Sequence, residues 1–154
     1  MAKRKRKRKP IPAKKTLRNM ADRLWSLAVR GDWNWQCAMC GFRKVEAHHL
    51  IPRQHESTRY DLYNGIALCA RHHQFCPERA PHQNPAGFMV WLQSTHANVH
   101  GLYLRRTESP PRFTGTKNEV YYCDVIRGLR QYVEESAFEE IVGVRFSKWL
   151  EENE

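Results

Sequence analysis

Long apolar runs are missing from this chain of 154 residues, and nothing in it approaches the ~20 consecutive apolar residues that cross a bilayer. The basic beginning also lacks the apolar stretch of a secretory signal. The expectation is therefore a soluble intracellular protein with no membrane partner, nuclear in a eukaryote and cytoplasmic otherwise. Acidic residues are scarce: 16 Asp and Glu stand against 26 Lys and Arg, a formal net charge of +10. Cysteines are few and odd in number, five in all. That argues against a complete disulfide framework and, in a reducing compartment, for metal ligands. No internal repeat is visible.

Seven of the cations form one unbroken run, Lys3 to Lys9, without which the net charge falls to +3. A solvated run of like charge cannot pack into a core. Residues 1–15, with Pro10 and Pro12, are therefore predicted to form a disordered arm. Its partner is a polyanion, because each phosphate neutralised releases counterions. A solubilising tail or a nuclear localisation signal is the alternative.

Beyond the arm, Thr16 is predicted to cap a helix carrying Leu17, Met20, Leu24 and Leu27 on one face, ending near Gly31. Val45–Leu50 and Ile66–Leu68 read as short strands, and Cys69–Phe75 as the opening of a helix. Asn84 and Pro85 open another helix, with Phe88, Trp91, Leu92 and Thr95 on one face. Residues 98–117, with Gly101, Pro110, Pro111 and Gly115, read as a loop or linker. Residues 118–154 read as a helical extension: Tyr122, Val125, Ile126, Leu129 and Val133 form one stripe, and Phe138, Ile141, Val142 and Trp149 a last helical segment.

The chemistry lies in between. Cys37-x-x-Cys40 and Cys69-x-x-His72 are two knuckles of the kind that give zinc its four tetrahedral ligands, and such an ion contributes folding free energy directly. Cys76 and Cys123 are left over and read as small apolar residues. Between the knuckles stand Glu46, the adjacent pair His48 and His49, then Asp61 and Asn64, with His73 directly after the second knuckle. Strand neighbours point to opposite faces, so His48 and His49 are predicted to divide their labour.

This constellation, from Cys37 to Phe75, resembles the HNH endonuclease family, whose motif is a two-strand hairpin and a helix around one divalent ion. The Ser57–Asp61 stretch, His82-x-Asn84-Pro85 and the Phe88, Trp91, Leu92 helix are similar to phage recombination nucleases of the lambda NinG (Rap) kind. The resemblance implies that His48 is a metal ligand, His49 the general base and His73 the second protein ligand. Asn64 matches the motif asparagine, which either fixes the His49 imidazole or ligates the ion, although Asn64-Gly65 is also an ordinary turn. Some members add a histidine four residues after the last one, where this chain has Pro77. His82 is then either a substitute ligand or a helix-start residue. Imidazole suits a base working near neutrality, and a nitrogen-rich set suits Zn, Mn or Ni, with Mg preferring oxygen.

Arg53 and Arg59 flank the loop between His49 and Asn64 and are predicted to bind DNA phosphate, with Lys44 and Arg71 as seconds and Glu46 orienting an arginine. His55, His96 and His100 have no constellation around them. The fold expected is α+β: a ββα-metal finger at 33–76 stapled by structural zinc, within a nuclease domain at 16–97 wrapped by helices. The function expected is metal-dependent cleavage of duplex or branched DNA by a one-metal mechanism. The alternatives are a non-catalytic zinc-finger nucleic acid-binding protein, which leaves Glu46, His48, His49, Asn64 and His73 unexplained, and an RNA-binding protein, which needs exposed aromatics such as Trp33 or Trp35.

Overall fold

The computed structural model describes residues 11–153; the Lys3–Lys9 run, and with it most of the expected arm, lies outside the described residues. The described residues are mostly helical, with one small antiparallel sheet, and the chain divides into two compact units. One runs from Trp25 to Gly115; the other joins the chain before Trp25 to the chain from Thr116 onward.

Helix α1 spans Lys14–Asp32, with Leu17, Ala21, Leu24, Ala28 and Val29 buried at helical spacing. It starts earlier than the sequence predicts. Thr16 N–H donates to Ala13 O at 2.8 Å, so Thr16 lies in the first turn instead of capping it. Lys14 and Lys15 are accordingly helical and not part of an arm.

In the Trp25–Gly115 unit, β1 (Val45–His49) pairs antiparallel with β2 (Gly65–Cys69), Val45 opposite Cys69 and His49 opposite Gly65. All five β2 residues are buried, which explains an apolar run with no polar alternation. Gly65 has φ −118°, open to any residue; space is what demands glycine. A Cβ there would overlap Val29 Cγ2 and lie 2.8 Å from Val29 Cγ1 and 3.0 Å from Trp25 Cζ2. The Asn64-Gly65 pair therefore marks a close approach of β2 to α1 and not a hairpin turn.

The loop between the strands holds a short helix, α2 (Glu56–Arg59), and a 3₁₀ turn at Leu62–Asn64. After β2 comes a single π-helical turn, Arg71–Phe75. Helix α3 (Pro85–Thr95) is capped as expected, Asn84 Oδ1 accepting from Gly87 N–H at 2.8 Å. Its Phe88 and Leu92 join Val45, Leu50, Ile66, Ala67 and Leu68 in the core of this unit.

The expected loop at 98–117 is corrected over most of its length. Ala97–Glu108 is a helix, α4, with Val99 and Tyr103 packed against the same core and Arg106 ion-paired with Asp61. Gly101 sits inside it. Glycine in a helix costs only about 1 kcal/mol, and Val99 and Tyr103, two residues to either side, bury apolar surface that opposes it.

In the other unit, Asn118 caps α5 (Glu119–Arg130), followed by α6 (Glu135–Val142) and α7 (Val144–Glu152). The single last helix expected there is two, because Gly143 has φ +82°, a conformation that ends a helix. Tyr122, Ile126, Leu129, Phe138, Phe146 and Leu150 are buried in this unit. Among the described residues, no helix is long and apolar enough to cross a membrane.

Candidate active site and metal centres

The first knuckle follows directly from how α1 ends. Asn34 and Trp35 both take left-handed conformations (φ +52° and +56°), turning the chain back so that Ala38 N–H donates to Ala67 O on β2 at 2.9 Å. This brings Cys37 and Cys40 against Cys69 and His72, all four donor atoms lying within 4.8 Å of one another. Cys37 Sγ is 3.6 Å from His72 Nδ1, Cys69 Sγ is 3.4 Å from the same nitrogen, and the Cys40 and Cys69 sulfurs are 3.9 Å apart. The edges of a tetrahedron with ordinary Zn–S and Zn–N bonds are about 3.6–3.8 Å, so the set fits structural zinc in size as well as in ligand chemistry. Burial pushes the Cys37 thiol up, and backbone hydrogen bonds from Cys69, Met39 and Cys40 more than reverse it, leaving it below its ordinary value. That favours the thiolate a metal needs.

A second cluster lies on the other side of the same hairpin. His48 Nδ1 is 3.1 Å from His73 Nε2, which is 3.1 Å from His82 Nε2. These three histidines form the second group able to hold a metal among the described residues. Two nitrogens about an ion at right angles, with bonds of about 2.1–2.2 Å, lie about 3.0 Å apart. The two separations therefore suit neighbouring nitrogen ligands of one divalent ion.

Two of the rings are held from outside the cluster. His73 Nδ1–H donates to Glu46 Oε2 at 2.6 Å, which turns the Nε2 lone pair towards the cluster, a carboxylate–histidine arrangement common behind metal ligands. Glu46, expected to orient an arginine, thus orients His73, and its carboxyl is held below the ordinary value by that hydrogen bond. The His48 ring is packed edge-on against Phe88. Burial, then the neighbouring His73, His82 and His49, push its pKa down to about 3. His48 is therefore neutral, with its lone pair available, throughout the physiological range.

His49 points the other way, as strand alternation predicts. Its ring stacks on Trp25 at 3.6 Å between centroids and 10° between planes. Nε2 lies 2.9 Å from Arg59 O. A carbonyl only accepts, so Nε2 carries the hydrogen and Nδ1 is the basic nitrogen. Trp25 is itself fixed, its Nε1–H donating to Asp61 O at 3.0 Å.

Asn64 holds the loop that supplies these carbonyls. It is 1 % exposed; Oδ1 accepts from Ile51 N–H at 2.7 Å, and Nδ2 donates to Ile51 O at 2.9 Å and Thr58 O at 3.1 Å. Of its two expected roles, ligation of the ion has no support in this geometry, and the imidazole is fixed only indirectly, through the loop.

Arg59 departs from expectation. At 3 % exposure it is not at a DNA-facing surface, and its guanidinium donates to Arg53 O at 2.9 Å. It braces the loop whose carbonyl holds His49. Arg53 is exposed, with Lys44 and Arg71 elsewhere on the hairpin surface. His82, which the motif spacing left open, joins His48 and His73. Trp25 carried no local signal at all, because its partner lies on a strand well downstream.

No curated protein and no solved structure matches this chain. A family model does: that of HNH endonucleases, over residues 37–75, about a quarter of the chain. That stretch holds six of the seven cluster residues, all but His82. Residues 37–75 thus match an HNH endonuclease domain, and the zinc clip and two of the three clustered histidines lie within it.

Proposed function

We propose that the protein is a metal-dependent DNA endonuclease. The observation that supports this reading best is the convergence of His48, His73 and His82 on one face of the hairpin, with His49 on the adjacent position held in a single tautomer. Cys37, Cys40, Cys69 and His72 hold structural zinc, while His48, His73 and His82 hold the catalytic divalent ion. Bound there, that ion supplies Lewis acidity to the scissile phosphate and the leaving oxygen. The three nitrogens suit Zn, Mn or Ni better than Mg.

His49 Nδ1 takes the proton of a water molecule as the water oxygen bonds to phosphorus. The P–O3′ bond breaks, leaving a 5′-phosphate and a 3′-hydroxyl once the leaving oxygen regains a proton. Trp25 and Arg59 O hold the imidazole so that no reorientation is needed during the step. Asn64 is a positioning residue, and Arg53 contacts backbone phosphate. Such contacts position a strand without reading bases. We accordingly read the task as structure-selective or recombination-type cleavage, in line with the resemblance around His82, Asn84 and Trp91.

The test is cleavage of supercoiled plasmid and a branched substrate by wild type and His73→Ala, with zinc retained and Mg, Mn, Ni and Zn titrated in turn. Nicked or linear product that depends on the added ion, and that vanishes in the folded variant, is expected. Absence of cleavage with every ion while DNA is still bound would overturn the proposal in favour of a binding module.

A further inference from the structure

Beside the zinc clip lies a cavity of about 640 Å³ that hydrolysis as described does not use. Val45 and Ala70 give it apolar walls, Phe42 stands at its mouth, and Arg30, Lys44 and Arg71 supply positive charge. Glu46 is the one acid in its lining, and that carboxylate is already hydrogen-bonded to His73. Cys40, Cys69 and His72 of the clip complete the lining; three thiolates on one zinc ion leave a single negative charge there, so the cations still outnumber the anions around an apolar interior of small-molecule size. It complements a flat, weakly polar body attached to an anion.

Two features give the mouth of this cavity a stacking character. Phe42 is 59 % exposed, following Gly41 in a left-handed turn (φ +73°) that lifts it off the core. Beside it, the Arg30 guanidinium lies 5.0 Å from the centroid of the Trp35 ring, and its Nε–H donates to Ser26 O at 3.1 Å. Trp35 is 44 % exposed and holds its position despite a left-handed backbone, which is costly for a bulky residue. A guanidinium set over one ring and a second ring open to solvent are groups with which proteins hold unpaired bases.

An unstacked nucleotide has the matching chemistry, an aromatic base joined to a phosphodiester. Continuous duplex does not, because its base faces are hidden by stacking. Glu46 links the cavity to the hydrolytic site: the residue lines the cavity, and its carboxylate holds His73. We propose that this cavity receives an unpaired nucleotide of the strand being cut, making single-stranded or branched DNA the preferred substrate class. This rests on the nuclease reading and deepens it.

The test measures binding, so that it does not depend on cleavage. Fluorescence anisotropy would give Kd values for the full-length, zinc-loaded protein without added catalytic ion, on a labelled single strand, a flap of equal length and a blunt duplex at one salt concentration. Phe42→Ala is expected to weaken single-strand and flap binding about 10-fold, within the range spanned by base–aromatic stacking, while changing duplex binding less than about 2-fold. Phe42→Trp is expected to restore wild-type values. Lys44→Gln is expected to lower the salt dependence of single-strand binding by about one counterion. The basic arm is common to all these proteins and cancels in the ratios.

Equal loss on all three DNAs, or no loss on any, would overturn the proposal. If Phe42→Ala discriminates as expected but no ion supports cleavage, the cavity assignment stands and the nuclease reading falls. Cleavage without discrimination between the DNAs would leave the nuclease reading standing and remove the cavity assignment.

Discussion

Replacing Gly65 with alanine isolates the contact that sets the sheet against α1. The backbone there (φ −118°, ψ 144°) suits alanine, and by itself that substitution stabilises by about 0.4–1 kcal/mol, because the unfolded chain loses freedom. Space opposes it. The new methyl group would overlap the buried Val29 side chain and press on Trp25 at 3.0 Å, an overpacking worth about 1–3 kcal/mol. The net expectation is a loss of roughly 0.5–2 kcal/mol. Val29→Ala alone leaves a cavity and costs about 1–3 kcal/mol, but it removes both atoms the methyl meets first. The double variant should therefore be more stable than the sum of the two losses by about 1 kcal/mol or more. Urea unfolding of the zinc-loaded proteins, with unchanged m-values, measures this coupling. Additive losses, or a stabilised Gly65→Ala, would refute the account of why glycine stands between Asn64 and Ile66.

Three other outcomes follow from the site. Glu46→Gln keeps a hydrogen-bond acceptor behind His73 but removes its charge, and should weaken catalytic-ion binding by about 10–100-fold in isothermal titration with the zinc content unchanged. Stripping the zinc with a strong chelator, or replacing Cys69 with serine, should unfold the β1–β2 hairpin, seen as loss of its amide protection, because a metal-dependent fold loses its binding free energy with the ion. Acid should destabilise the zinc-loaded protein, without added catalytic ion, through His48. Its pKa is depressed from the ordinary 6.5 to about 3, so below 6.5 the unfolded chain takes up a proton that the folded chain refuses. The stability is complete above pH 6.5 and is lost progressively towards pH 3, by roughly 3–5 kcal/mol, and His48→Gln should flatten that slope.

The parts of the site legible in the sequence are those whose geometry is local. Two ligands spaced by two residues on a knuckle leave little choice of arrangement, so Cys37, Cys40, Cys69 and His72 come together as their spacing implies. The period of a strand likewise separates His48 from His49. What stayed open, as for His82, or hidden, as for Trp25, depends on contacts distant in sequence. His82 reaches the cluster by way of a turn after Cys76 whose path no periodicity reports, and Trp25 meets His49 only because α1 crosses the start of β2. Arg59 illustrates a different failure. A guanidinium near a histidine pair reads as a phosphate ligand, but the residue's contribution to His49 is its backbone carbonyl, which any side chain could have supplied. Helix α4 was hidden by Gly101, since a helix held by tertiary packing tolerates a residue that local propensity disfavours.

The division of labour between the two adjacent histidines is the centre of the account, and His49→Ala tests it most directly. The His49 ring touches Trp25 and Arg59 O, whereas His48, His73 and His82 form the metal group without it. His49→Ala should therefore lower the single-turnover cleavage rate by about 10²–10⁴-fold, with the affinity for the catalytic ion and the thermal midpoint of the zinc-loaded protein close to wild type. Cleavage at the wild-type rate, or loss of ion binding together with activity, would contradict the assignment of His49 as the base.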